Sequence, residues 1–186
     1  MIYVVRHGET DWNLEGRCQG WADIELNQTG LKQAEELADK LSSVKFDVCF
    51  SSPQKRALKT AQIIYQGEII VDQRIRERGK GELEGRTDVK EMVKQLGIDY
   101  YNPNEDRFGI ERLSDFQNRI RSFWNEILEK YVGKNMLVVT HGGTVMWSRV
   151  CIDGMPDDHN IYRYNPKNCE VWQIDNSNLL NIRKSL

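Results

Sequence analysis

The sequence predicts an α/β protein: a three-layer α/β/α sandwich around a mostly parallel central sheet. Two observations predict it. Short runs of β-branched and apolar residues alternate with longer stretches whose apolar residues recur at helical spacing. Three of the short runs end abruptly in polar side chains, and open parallel sheets bind ligands beyond the carboxyl ends of their strands. The 186 residues fit one domain, 1–186, and no repeat, low-complexity stretch or Pro/Gly/Ser-rich linker divides them.

The first strand is IYVVR (2–6), read as buried. Leu31, Ala34, Leu37, Ala38 and Leu41 then mark an amphipathic helix over roughly 30–42. FDVCF (46–50) is a second strand. A helix is expected to start at Ser52-Pro53, with Ser52 as cap and Pro53 in the first turn, and to run through QKRALKTAQII. IIVD (69–72) is a third strand. Thr87 is placed as the cap of a helix carrying Val89, Met92, Val93 and Leu96, and 97–112 is irregular and polar. Ser114 is expected to cap a long helix with Phe116, Ile120, Phe123, Trp124, Ile127, Leu128 and Tyr131 on one face, ended by Gly133. MLVVT (136–140) is the clearest strand, and a helix follows His141-Gly142-Gly143. CEVWQI (169–174) and LLNIR (179–183) read as two last strands.

Composition excludes several classes. A formal charge of −2 provides no basic field for nucleic acid or an anionic membrane. No apolar run approaches the ~20 residues of a membrane helix. The first strand begins at Ile2 with no basic leader, so no signal peptide is expected. Cys18, Cys49, Cys151 and Cys169 form no CxxC pair; they read as reduced thiols of a cytoplasmic protein, in preference to a zinc site. No cofactor is expected.

His7 follows the first strand directly, Ser51, Ser52 and Arg56 follow the second, and His141 follows 136–140. One sheet edge should therefore gather Arg6, His7, Arg56 and His141. A phosphoryl dianion wants several fixed donors, which Arg offers in a planar fork. Helix starts near Pro53 and His141 add backbone N–H groups. A neutral imidazole is a nucleophile, so His7, with Arg6 beside it, is placed to attack phosphorus. The competing reading of His7 is a plain cap at the edge of the core.

RHGET (6–10) resembles the signature of the histidine phosphatase superfamily, also called the phosphoglycerate mutase-like family. The likeness continues through TDWNLEGRCQGWADIELNQTGLKQA (10–34), SSPQKRALKTA (51–61) and VVTHGGTVM (138–146), in order and nearly across the chain. The resemblance implies a metal-independent phosphomonoesterase acting on a small phosphorylated metabolite. His7 would become phosphohistidine. Arg6, Arg56 and His141 would hold the phosphoryl group. Asn13, Gln19, Gly20 and Gly142 would line the substrate side.

IRERGKGELEG (75–85) is similar to the family's LRE…G…EG stretch, which makes Glu77 the proton donor. Arg78-Gly79-Lys80 departs from the usual apolar or aromatic residues there, so Glu82 is the alternative acid, and Glu84 is read as structural or solvated. Residues about 86–112 would form an active-site cover, in which Arg86, Tyr100, Tyr101, Arg107 and Arg112 are either substrate contacts or polar surface. Trp12, Trp21 and Trp147 read as packing, His159 as surface.

Three rivals stand beside this reading. A phosphoglycerate mutase would return the phosphoryl group to product, but the Arg-Arg insertion expected of the mutases is absent. A non-catalytic phospho-ligand module should have lost a clamp residue. A His/carboxylate metal hydrolase would be sensitive to chelators. The sequence does not select the substrate or the oligomeric state.

Overall fold

The computed structural model describes residues 1–99 and 101–175. Among them, five strands form one sheet in the order β3-β2-β4-β1-β5: β1 (Ile2–Arg6), β2 (Val48–Ser51), β3 (Ile69–Val71), β4 (Met136–Thr140) and β5 (Val171–Ile174). β1, β2, β3 and β4 pair in parallel, and β5 runs antiparallel to β1. Period-two alternation sends Val4, Phe50, Met136 and Val138 to one face and Val5, Cys49, Leu137 and Val139 to the other. Both sets are buried, as parallel strands between helical layers should be.

The first face packs on α5 (Leu113–Lys130) and α6 (Gly142–Asp153) through Phe116, Ile120, Phe123, Trp124, Ile127 and Val145. The second packs on α2 (Gln28–Lys40) and α3 (Lys55–Ile64) through Leu37, Ala57 and Ala61. This is the expected sandwich. A small satellite core of Leu83, Ile98 and Ile110, with Val89, Met92 and Val93 of α4 (Val89–Gln95) against it, lies under the 86–112 region.

Several helix starts differ from expectation, and at two of them the expected cap has another partner. Ser52 does not cap α3, whose N-cap is Gln54; its hydroxyl lies 2.7 Å from His141 Nε2. Ser114 sits inside α5, which starts at Leu113, and donates to the Pro103 carbonyl. Thr87 does not cap α4, whose N-cap is Asp88. α2 starts two residues before the expected span, because Asn27 accepts from Gly30 N–H and caps it. α5 ends at Lys130, before Gly133. A short helix, α1 (Asp11–Leu14), not read from the sequence, is closed by a capping box between Thr10 and Asn13. The strand expected at 179–183 lies outside the described residues.

Registration of the sheet aligns the site. Arg6 lies opposite Thr140 across β1 and β4, so His7 and His141 are the next pair beyond the carboxyl edge. Ser51 lies opposite Val139, which carries Ser52 to His141. Just past His7, a Cβ on Gly8 would lie 2.5 Å from the Gly30 carbonyl oxygen, so the nucleophile loop rests directly on the start of α2.

Candidate active site

A cavity of about 230 Å³ lies at this edge, lined by Arg6, His7, Asn13, Gln19, Gly20, Arg56, Glu77 and Gly142. Every one of these was expected from the sequence. Arg17, Cys18, Lys80, Gly143 and Asn165 complete the wall and were not foreseen. His141 is fully buried behind it, its ring 5.1 Å from that of His7.

His7 is fixed in one tautomer. Its Nδ1 lies 2.7 Å from the Gly8 carbonyl oxygen, which can only accept, so Nδ1 carries the proton and Nε2 the lone pair. Burial holds its pKa well below the ordinary histidine value, and Arg56 and Arg6 push it further down. His7 is therefore neutral at pH 7. The same causes, burial first and then Arg56, keep His141 neutral.

The cations are held by backbone carbonyls rather than by carboxylates. Arg6 donates from Nη1 to Pro166 O, and Arg56 donates to Ala22 O and Gly20 O. Burial lowers Arg56 to about 10, so it stays charged at neutral pH. Arg6 Nε, Arg56 Nε and His141 Nδ1 are buried with no protein partner. Unpartnered buried polar atoms are rare and call for an explanation. Three of the eight such atoms among the described residues belong to side chains packed about His7: Arg6 and Arg56 line the same cavity, and His141 is in ring contact with His7. Asn13 Oδ1 accepts from Thr10 N and Oγ1 and from Asn168 Nδ2, so its carbonyl end is occupied.

Glu77 is gripped at both ends. Its Oε1 accepts from Arg78 N–H and its Oε2 from Gly143 N–H, at 2.8 and 2.9 Å. Its carbonyl accepts from Trp21 Nε1 and Arg119 Nη2. Arg119 also donates to the carbonyls of Arg74 and Arg76 and forks onto Glu111, which in turn accepts from Gly79 N–H. One guanidinium on α5 thus clamps the loop that carries Glu77. The Thr140 and Thr144 hydroxyls add bonds to the carbonyls of Ile75 and Arg76.

Glu82, the alternative acid, is exposed and lies outside the cavity wall. Glu84 accepts from Trp21 N–H and Lys80 N–H, a structural tie. Arg86, Arg107 and Arg112 pair with Asp88, Glu105 and Asp106, the surface alternative. Tyr101 and Trp147 line a second cavity beside the first, and Tyr100 lies outside the described residues. Trp21 is exposed, with the Arg76 guanidinium 4.0 Å from its ring centroid. His159 is on the surface. Among the described residues, no three His, Cys, Asp or Glu side chains cluster as a metal site, and no helix is long and apolar enough to cross a membrane.

Comparison with known proteins agrees with this geometry. The profile of the histidine phosphatase superfamily (branch 1) matches residues 2–178. An uncharacterised phosphatase, PhoE, of Bacillus subtilis is 35% identical over 147 residues, covering 77% of this chain and 72% of its own. Phosphoserine phosphatase 1 of Hydrogenobacter thermophilus is 35% identical over 148 residues, covering 75% and 70%. Proteins named phosphoglycerate mutase also match. Among solved structures, a phosphoserine phosphatase mutant from Entamoeba histolytica in complex with phosphoserine superposes with a TM-score of 0.76 at 27% identity, over 91% of this chain and 87% of that one. A match that runs from the first strand past the last one described decides membership: the chain belongs to the histidine phosphatase superfamily, and it is a phosphatase.

Proposed function

We propose that this phosphatase hydrolyses the monoester of a small phosphorylated metabolite through a phosphohistidine on His7, without a divalent metal. The observation that carries the reading is the trio of unpartnered nitrogens, Arg6 Nε, Arg56 Nε and His141 Nδ1, around a neutral His7. A phosphoryl group in that cradle takes up all three. Where Ser52 turns its proton to His141 Nε2 at 2.7 Å instead of to Gln54 Oε1 at 3.3 Å, the His141 proton sits on Nδ1 and is available to the phosphate as a donor. The NH₂ end of Asn13 and the N-terminus of α6 add further positive ends.

In the first step His7 Nε2 attacks phosphorus while the ester P–O bond breaks. The electron pair leaves on the ester oxygen, which takes a proton from the carboxylic acid of Glu77, and the alcohol departs. In the second step the Glu77 carboxylate accepts a proton from water as the water oxygen attacks phosphorus. The P–N bond breaks, its electrons return to Nε2, and inorganic phosphate is released. The clamp cations neutralise charge on the non-bridging oxygens, the work a metal does elsewhere.

Hydrolysis is favoured over mutase transfer because the chain has no Arg-Arg pair. The 86–112 segment serves as a partial cover through Tyr101, within one domain spanning the chain. Four free thiols suit a reducing, cytoplasmic setting. The test is phosphate release from a phosphometabolite panel after dialysis against EDTA. Full activity in EDTA, with inhibition by vanadate and tungstate, is expected. Loss of activity restored by zinc or magnesium would contradict the metal-free mechanism.

A further inference from the structure

A second cavity, of about 130 Å³, opens beside the phosphate cradle and shares Glu77, Lys80 and Gly143 with it. Its inner wall is Leu113, Phe116, Met146, Trp147 and Ile161. All but Met146 are buried core side chains, so the wall belongs to the packed interior and is not a chance surface dimple.

The inference rests on the proposed function and deepens it. If Glu77 protonates the ester oxygen, that oxygen lies at the junction of the two cavities. Phosphorus is on the His7 side, and the carbon bonded to the ester oxygen points into the second cavity. The space there is close to the ~150 Å³ that holds a benzene ring in an apolar protein cavity. The apolar side of this cavity rewards an apolar body.

Charge narrows the class further. The ionisable lining of the second cavity is Arg78, Lys80, Glu77 and two tyrosines, Tyr101 and Tyr162. With two cations and one carboxylate the lining is net positive, which disfavours an ammonium group near the ester carbon relative to a neutral one.

We propose that the substrate is the phosphomonoester of an alcohol bearing a compact apolar or aromatic group, about one ring in size, with no positive charge near the ester oxygen. This sets the chain apart from the relatives named for phosphoserine, whose leaving alcohol is small and carries an ammonium. Lys80 stands where the resembling family motif is usually apolar or aromatic, and it acts as the charge filter.

The experiment measures kcat/KM for benzyl, ethyl and propyl phosphate, phosphoethanolamine and phosphoserine. Benzyl and ethyl alcohols are similar leaving groups, so their ratio reads recognition. Benzyl phosphate should exceed ethyl phosphate by at least about tenfold, the scale of apolar-pocket discrimination. Propyl phosphate should exceed its near-isostere phosphoethanolamine by a similar factor, and Lys80→Gln should shrink that ratio. Met146→Trp, which fills the cavity, should collapse the benzyl-to-ethyl ratio toward one. Ethyl phosphate or phosphoserine turned over as well as benzyl phosphate, or a ratio indifferent to Met146→Trp, would overturn the inference and leave the hydrolase reading standing. Phosphate release from none of these esters would overturn both.

Discussion

Gly143 is where the acid is most open to a small, non-disruptive change. A Cβ built there lies 2.3 Å from Glu77 Oε1 and 3.0 Å from its Cδ. Ordinary contact needs about 3.5 Å, so in Gly143→Ala the carboxyl group must retreat by about 1 Å and give up the Gly143 N–H. A misplacement of that size costs about 10²-fold in rate where geometry controls the step. The loss should depend on the leaving group. Ethyl phosphate releases a strongly basic alkoxide and needs the proton; p-nitrophenyl phosphate releases a stable phenolate and hardly does. Gly143→Ala should therefore lose about 10²-fold on ethyl phosphate and under about tenfold on the aryl ester. Stability should barely move. Alanine gains about 0.5–1 kcal/mol over glycine in a helix, and the lost hydrogen bond costs about as much. Initial rates on both esters, with a thermal melt as control, decide it. Equal losses on both substrates, or none, would refute the placement of Glu77 at the ester oxygen.

Other outcomes follow from the same geometry. Glu77→Gln should show the leaving-group-dependent loss and Glu82→Gln almost none, because Glu82 is exposed outside the cavity; the reverse result would make Glu82 the acid. Arg119→Lys removes the fork that clamps the carbonyls of Arg74, Arg76 and Glu77. It should lower kcat on ethyl phosphate more than on p-nitrophenyl phosphate while leaving tungstate affinity within about threefold, since the cradle is separate; equal effects on both esters would reduce Arg119 to a structural role. Stability should fall as pH falls below about 6.5, where the unfolded chain binds protons on His7 and His141 that the folded chain, with both values depressed, does not. The slope is up to about 1.4 kcal/mol per pH unit for each histidine, it ends at the depressed folded values, and His141→Gln should reduce it; urea midpoints unchanged between pH 7.5 and 5.5 would contradict two buried neutral imidazoles.

Much of the fold and the cradle was legible because it is written locally. The runs at 2–6 and 136–140 are apolar on both faces, which only a sheet covered by helices accommodates, and the residues just past them must meet at one edge. Arg6, His7, Arg56, Glu77, Asn13, Gln19, Gly20 and Gly142 could be named on that basis together with the family resemblance. What was not legible depends on long-range partners. Ser52 and Ser114 have cap-like sequence settings, yet His141 and the Pro103 carbonyl claim their hydroxyls. Arg119 flanks the apolar stripe of α5, next to Phe116; that it reaches the 74–77 loop follows only from how α5 packs on the sheet. Asn165 and Lys80 enter the wall through loops whose courses no local pattern specifies. Gly143 stood in a motif already singled out, but its necessity lies in a carboxylate 66 residues away in sequence.

The central claim is that His7 carries the phosphoryl group. Rapid acid or alkali quench of single-turnover mixtures with ³²P-labelled substrate tests it most directly. The account predicts protein-bound label that is stable in alkali, labile in acid, mapped to the peptide containing His7, and absent in His7→Ala, with turnover lost to the same extent. Label on another residue, or a His7→Ala protein with near-normal turnover, would contradict it.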